Sequence, residues 1–194
     1  MTASAFRSIG PSVAPQPVTR RLNPEPAAMR SALGAFASGV TVVTALSGDE
    51  PVGFTCQAFS SLSLDPPLVL FCATREGRAW QRIREVGRFC VNILAEDQTE
   101  VCFRFGTRTG ARFDGLDWER SGWGTPSIPG TALRVHCDLD AVHPGGDHDI
   151  AVGAVLDLEL THGEPPLLFH HGRLGGVDVR QQRGRRWDRG DRWG

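Results

Sequence analysis

The sequence predicts a mainly β domain, a Greek-key or closed barrel with a few short helices at its flanks. Strand-like segments outnumber helical ones along the 194 residues, and glycines stand in the middle of the chain as well as at its turns. The helical segments also interrupt the strand series irregularly, against the regular alternation of a doubly wound βαβ sheet. Neither GxGxxG nor GxxxxGK[ST] occurs. The usual dinucleotide and P-loop signatures are therefore missing.

Taken in order, Pro26 suits the first turn of a helix over Ala27 to Ala37, with Met29, Leu33 and Phe36 on one face. Strands follow at 39–46, 51–57 and 67–73, where Val40, Val42 and Val43, then Val52 and Phe54, then Leu68 to Phe71 supply β-prone side chains. Ser47-Gly48-Asp49-Glu50 between the first two suits a hairpin turn. Glu76 to Val86 carries Trp80, Ile83 and Val86 at helical spacing. Phe89 to Leu94 reads as a strand and Asp97 to Phe105 as a helix with Val101, Cys102 and Phe105. Residues 106–130 are glycine-rich and hold Pro126 and Pro129, so a long loop is expected there. Loops of that length are usually functional or disordered; Phe113, Trp118 and Trp123 argue for a packed one. Thr131 to Ala141, Asp149 to Leu160 and Leu167 to His171 complete the strands.

Composition narrows the class. Hydrophobic residues make up 40% and charged residues 22%, enough for one domain with a core. The formal net charge of -1 gives no bulk attraction for nucleic acid. All 21 basic residues are Arg. No apolar stretch reaches the roughly 20 residues of a membrane span, and the N-terminus shows no hydrophobic signal core, so a cytoplasmic location is expected. Five Cys with no CxxC pair, several in apolar runs such as FCVNIL, read as buried thiols in a reducing compartment. Residues 1–26, with five prolines, are expected to be a disordered extension, and residues 179–194 an Arg-rich solvated tail.

Two stretches could carry chemistry. Thr55 to Ser63 lies between strong strands, with many small donors and acceptors and the single aromatic Phe59. Gly53 would let backbone approach a ligand closely, while Thr55, Gln57, Ser60 and Ser61 can donate or accept in several directions. A Ser-rich surface connection explains the same residues equally well. His143-Pro144-Gly145-Gly146-Asp147-His148-Asp149 reads as a polar turn in which Asp147 and His148 make an acid–base or ligand-orienting pair. Metal binding there lacks a convincing fourth ligand. His170 and His171 would face opposite sides of a strand, unsuited to one metal. No GxSxG elbow supports a hydrolase, and buried structural cysteine outweighs a nucleophilic Cys56 or Cys72.

Four stretches in order resemble the flavin reductase domain of two-component monooxygenases: ALGAFASGVTVVT at 32–44, GFTCQAFSSLSLDPPLVLFC at 53–72, FCVNIL at 89–94 and GGDHDIAVGAV at 145–155. PLLFHHGRLGGV at 166–177 is similar to that family's closing strand and turn. The resemblance spans residues 27–178 and implies an FMN-binding split β-barrel that pairs as a homodimer. It further implies that 53–63 holds the flavin, with Thr55 and Gln57 at the ring edge and Cys56, Ala58, Phe59, Ser60 and Ser61 around them. Cys72 to Arg75 would continue the wall, and Phe105-Gly106 resembles a Phe-Ala step near the flavin. Relatives often carry Asn at the Gln57 position and a Ser-x-Thr pair where this chain has Gly77 and Ala79. Arg78 or Arg75 would then take the phosphate. His148 would stand on the nicotinamide side as the catalytic group, and Arg173 would contact the pyridine nucleotide or the flavin.

The implied activity is NAD(P)H-dependent reduction of FMN or FAD, a hydride passing from nicotinamide C4 to flavin N5. Reduced flavin would then leave for a separate flavin-dependent monooxygenase. No metal, nucleic acid or membrane is implied. Two alternatives stand beside it: an oxidoreductase with tightly held FMN, and a non-enzymatic flavin or haem carrier using His143, His148, His170 and His171.

Overall fold

The computed structural model describes residues 21–107 and 112–176. The chain divides after Leu33 into two units. In the first, α1 spans Pro26–Leu33, shorter than the expected 27–37. Gly34 follows directly, and Phe36 belongs to the second unit. The extension expected over 1–26 lies outside the described residues as far as residue 20, and the tail at 179–194 lies outside them altogether.

The second unit runs β1 (Ser38–Gly39), β2 (Thr41–Ser47), β3 (Glu50–Cys56), β4 (Phe59–Leu64), β5 (Pro67–Thr74), α2 (Arg78–Val86), β6 (Arg88–Ile93) and α3 (Thr99–Gly106). It continues through β7 (Glu119–Arg120), β8 (Pro126–Ser127), β9 (Leu133–Gly145), β10 (His148–Leu160), β11 (Leu168–His170) and β12 (Arg173–Gly175). Seven strands form one antiparallel sheet in the order β3-β2-β6-β9-β10-β5-β4. The hairpin expected at Ser47 to Glu50 is present, with Gly48 at φ 63° in its turn.

Mainly β with flanking helices is therefore the architecture, but the barrel, Greek-key or split, is overturned: no sheet among the described residues closes. The edges are β3 and β4, and no ladder joins them. Only Gln57 and Ala58 separate these strands in the chain, yet β4 turns away to pair with β5. The Cys72 N–H donates to the Ala58 carbonyl at 2.9 Å and the Cys56 thiol to the Cys72 carbonyl at 3.4 Å, too few bonds for a closing seam. This course also corrects the reading of 55–63 as a connection, since most of it is strand. The central glycine Gly153 has a packing reason. A Cβ there would lie 2.6 Å from Phe89 Cζ, so the residue makes room for a ring.

One core cluster gathers Val43, Phe71, Trp80, Phe89, Val91 and Val135; another gathers Val40, Val42, Leu94, Phe105, Ile128 and Leu167. Phe71 meets Trp80 and Phe89 edge-on, with centroids 5.4 and 5.3 Å apart. The long loop is packed as expected by two of its three aromatics. Phe113 stands 4.9 Å from Phe105 and 5.8 Å from Trp118, whereas Trp123 is exposed and donates its indole N–H to Asp157 at 3.1 Å. Four of the five thiols are buried and all are unpaired. Burial pushes those of Cys56, Cys90 and Cys137 up to about 12, which makes them poor nucleophiles. No helix among the described residues is long and apolar enough to cross a membrane.

Candidate active site

The segment leaving β3 and entering β4 faces two cavities. The larger, a cleft of about 950 Å³, is walled by Gly53, Phe54 and Thr55 of β3, Thr74 at the end of β5, the start of α2, the end of α3, and Arg112-Phe113. The smaller, about 380 Å³, is walled by Phe36 to Gly39, Gln57 to Ser60, Leu70 and Cys72. The sequence-predicted residues thus divide. Thr55, Arg78, Phe105 and Gly106 line the cleft, whereas Gln57, Ala58, Phe59, Ser60 and Cys72 line the smaller cavity. Cys56 is buried, and Ser61, Arg75, His148 and Arg173 are in neither wall.

Local bonds explain how the cleft is built. The Thr55 hydroxyl donates to the Cys102 carbonyl at 2.8 Å and so ties β3 to α3, leaving its lone pairs for a ligand. Gly53 lines the cleft and has a packing reason of its own: a Cβ would lie 2.9 Å from both Phe105 Cε1 and the Val43 carbonyl. The N-terminus of α2 has Gly77 before it and no side-chain cap, so its first amides lack intrahelical partners beside the cleft. Arg112 reaches back over the site, its two terminal nitrogens donating to the carbonyls of Gly53 and Thr107. Burial holds its guanidinium below the usual arginine range, and the charge of Arg78 lowers it further.

Gly146, at φ 72°, and Asp147 turn β9 into β10, so His143, Pro144, His148 and Asp149 are strand residues where a longer polar turn was expected. The Asp147 carboxylate accepts from His148 Nδ1 at 2.7 Å. In the neutral ring that leaves Nε2 to accept from the hydroxyl of Thr74, a cleft residue, at 3.4 Å. Asp149 faces the other way and is nearly buried, accepting from the Trp80 indole and from Arg75 at 3.0 Å each, with Arg84 at 3.6 Å. The Trp80 hydrogen bond is the largest influence holding this carboxyl below its ordinary range; Arg75 and Arg84 add to it and burial opposes it. Arg75, expected at a phosphate, is thus engaged with Asp149.

Sequence reading missed Arg112, the Asp149–Trp80 bond and the buried His136, which contacts Thr125 at 2.9 Å and Glu159 at 3.2 Å. No spacing marks any of them. His170 and His171 also differ from expectation: His171 leaves the strand at φ 48°, and the two rings lie 4.3 Å apart. No cluster of three or more His, Cys, Asp or Glu suited to a metal occurs among the described residues.

Residues 33–178 match the flavin reductase like domain. The chain belongs to that family. It is 46% identical over 154 residues to the reductase subunit HsaB of a flavin-dependent monooxygenase from Rhodococcus jostii, covering 79% of each chain. It is 45% identical to the FMN reductase (NADH) SmoA of Agrobacterium fabrum, over 75% of this chain and 83% of that one. Among solved structures it resembles the NADH:FAD oxidoreductase SgcE6 of Streptomyces globisporus, in complex with NAD and FAD fragments. The TM-score is 0.80 at 32% identity, covering 84% of this chain and 99% of the other. Within this flavin reductase-like frame, the two cavities flank the stretch whose motif carried the resemblance.

Proposed function

We propose that the chain is an NAD(P)H-dependent flavin reductase that reduces FMN or FAD and supplies reduced flavin to a separate monooxygenase. Relatives named as reductases support the class. One observation carries the reading on this chain. A single segment, 53–60, borders both a charged cleft of nucleotide size and a narrower, largely apolar cavity. The donor set suits a flavin: Gln57 and Ser60 for a carbonyl-edged ring, Ala58, Phe59, Leu70 and Cys72 as an apolar wall, and cleft arginines for an anionic tail.

A bound flavin would supply the hydride acceptor for the nicotinamide donor. The chain's residues bind, orient and exclude water. Ala58, Phe59 and Cys72 would form the apolar wall for a flavin, with Cys56 and Ser61 supporting that wall; Gln57 would address the ring edge from the smaller cavity and Thr55 from the cleft. Phe105, Gly106 and Arg78 bound the cleft, Arg78 with its positive charge, while Arg75 lies outside the lining and holds Asp149. His148, the catalytic group in this reading, orients the nicotinamide through a ring that Asp147 and Thr74 already hold. Arg173 contacts the nicotinamide dinucleotide.

A homodimer completes the reading, supported by the exposure of Leu62 and Leu64 on the edge strand β4 and of Phe36, which shares the smaller cavity's lining with Phe59. Five unpaired thiols favour the reducing cytoplasm. The test is anaerobic oxidation of NADH and NADPH by the purified protein with FMN, FAD or no flavin. Multiple turnovers that require flavin are expected; folded protein without turnover on any flavin overturns the reading. Light scattering checks the dimer.

A further inference from the structure

His148 stands in neither cavity wall, and the residue beside it that does line the cleft is Thr74. The two face each other across the ladder of β5 and β10. Asp147 accepts from His148 Nδ1 at 2.7 Å, and because an ionised carboxylate only accepts, Nδ1 carries hydrogen. In the neutral ring Nε2 is then a bare acceptor, and the group it meets is the Thr74 hydroxyl at 3.4 Å. That hydroxyl has no other hydrogen-bond partner among the described residues, and Thr74 is exposed on the cleft. Backbone bonds hold the pair in place. The Gly77 amide donates to the Thr74 carbonyl at 2.9 Å, and the Arg75 amide to the Asp147 carbonyl at 3.2 Å. Of the charged and titratable groups around them, the Arg75 side chain turns to Asp149 at 3.0 Å. Glu76 and Arg78 share the cleft lining, and His143 on β9 pairs with Ile150, two residues beyond His148.

A hydroxyl placed this way has its polarity set by the ring. While His148 is neutral, Thr74 donates to Nε2 and shows only lone pairs to the cleft. Once the ring takes a proton from water, Nε2–H donates to the Thr74 oxygen, and the hydroxyl rotates to donate into the cleft. No covalent bond at Thr74 breaks. We infer that Thr74 is the contact through which His148 addresses the nicotinamide, accepting from the carboxamide NH2 when the ring is neutral and donating to a carbonyl when it is charged. The inference rests on the flavin reductase reading and deepens it, with His148 as a positioning residue behind Thr74.

The test compares NADH with its reduced 3-acetylpyridine analogue, which keeps the carbonyl on the pyridine ring and lacks the NH2. Both are given to the full chain with FMN or FAD from about pH 5 to 9, spanning histidine titration. In wild type the ratio of kcat/KM for NADH to that for the analogue should rise about tenfold as His148 loses its proton. It should be flat in Thr74→Val and in His148→Asn, restored in Thr74→Ser, and no different in the double variant. Thermal melts verify folding, and Thr74→Ala replaces Thr74→Val if the latter does not fold. A folded Thr74→Val that keeps the pH-dependent ratio shows His148 reaching the ligand itself and overturns the relay. A Thr74→Ser that fails to restore the ratio, or a flat ratio in wild type, overturns it too. A second readout needs no ligand: nitrogen NMR of the His148 ring, assigned by its loss in His148→Asn. In the neutral ring Nε2 should be the unprotonated nitrogen, and its signal should shift in Thr74→Val and not in Thr74→Ser. The opposite tautomer, or no shift, overturns the relay. Absence of wild-type turnover sinks the reductase reading, while the Nε2 signal still decides whether Thr74 is tied to His148.

Discussion

Asp149 and Arg112 are both charges withdrawn from water at the margin of the same site, and their surroundings are opposite. Asp149 has the Trp80 indole and Arg75 at 3.0 Å, with Arg84 beyond. Its burial is matched, and it fastens α2 and the end of β5 to the start of β10. Arg112 has two neutral carbonyls and a like-charged neighbour. A buried charge with its complement in the chain holds structure together; among the described residues half-buried Arg112 has no carboxylate hydrogen-bond partner.

The largest effect should come from the matched side. Trp80→Ala removes the donor to Asp149 and a fully buried ring, and is expected to cost about 3–5 kcal/mol in urea unfolding. A loss under ~1 kcal/mol would show the Asp149 network to be incidental. Gly53→Ala comes next: the added methyl meets Phe105 and the immovable Val43 carbonyl, for about 1–3 kcal/mol and a displaced cleft wall. His148→Asn should leave the unfolding midpoint unchanged, since the ring is part-exposed, while lowering kcat/KM for NADH on the order of tenfold. Unaltered kinetics would remove it from the site.

Acid should distinguish the two charges further. The Asp149 carboxyl is held below its ordinary range, so its stabilisation is full above the unfolded value of about 3.9 and is lost as pH falls through the depressed native value. Unfolding midpoints followed downward from pH ~6 should decline less steeply in Asp149→Asn than in wild type. Arg112 does not titrate in that window. The smallest and most specific readout is thermal: saturating FAD should raise the melting temperature of wild type more than that of Arg112→Gln. Equal shifts would mean that the flavin side of the cleft does not use this arginine.

Some of this was legible in the residues. Trp80 and Ile83 fall on the buried face of α2 at the spacing that predicted a helix, and the Gly48 turn follows from its dipeptide. The 53–72 motif led to the segment on which both cavities border. Other features had no local signal. Whether β3 and β4 zip together depends on which partner β4 finds, and that pairing is long-range. Thr55 looked like a ligand donor because its residue type is right; the Cys102 carbonyl that accepts its hydrogen bond lies 47 positions away. Gly53 looked like a contact point, and the ring that needs its space comes from α3.

The sequence alone determined the mainly β class, the places of α2 and α3, the family and the stretch that borders both cavities, because periodicity, turn chemistry and motif are properties of neighbouring residues. Tertiary structure decided that the sheet among the described residues stays open, that Thr55 and Gln57 face different cavities, and that among those residues Arg75 meets a carboxylate while Arg112 meets carbonyls. Those outcomes depend on which distant backbone and side-chain groups meet and on how much water their meeting excludes, and no local pattern encodes either.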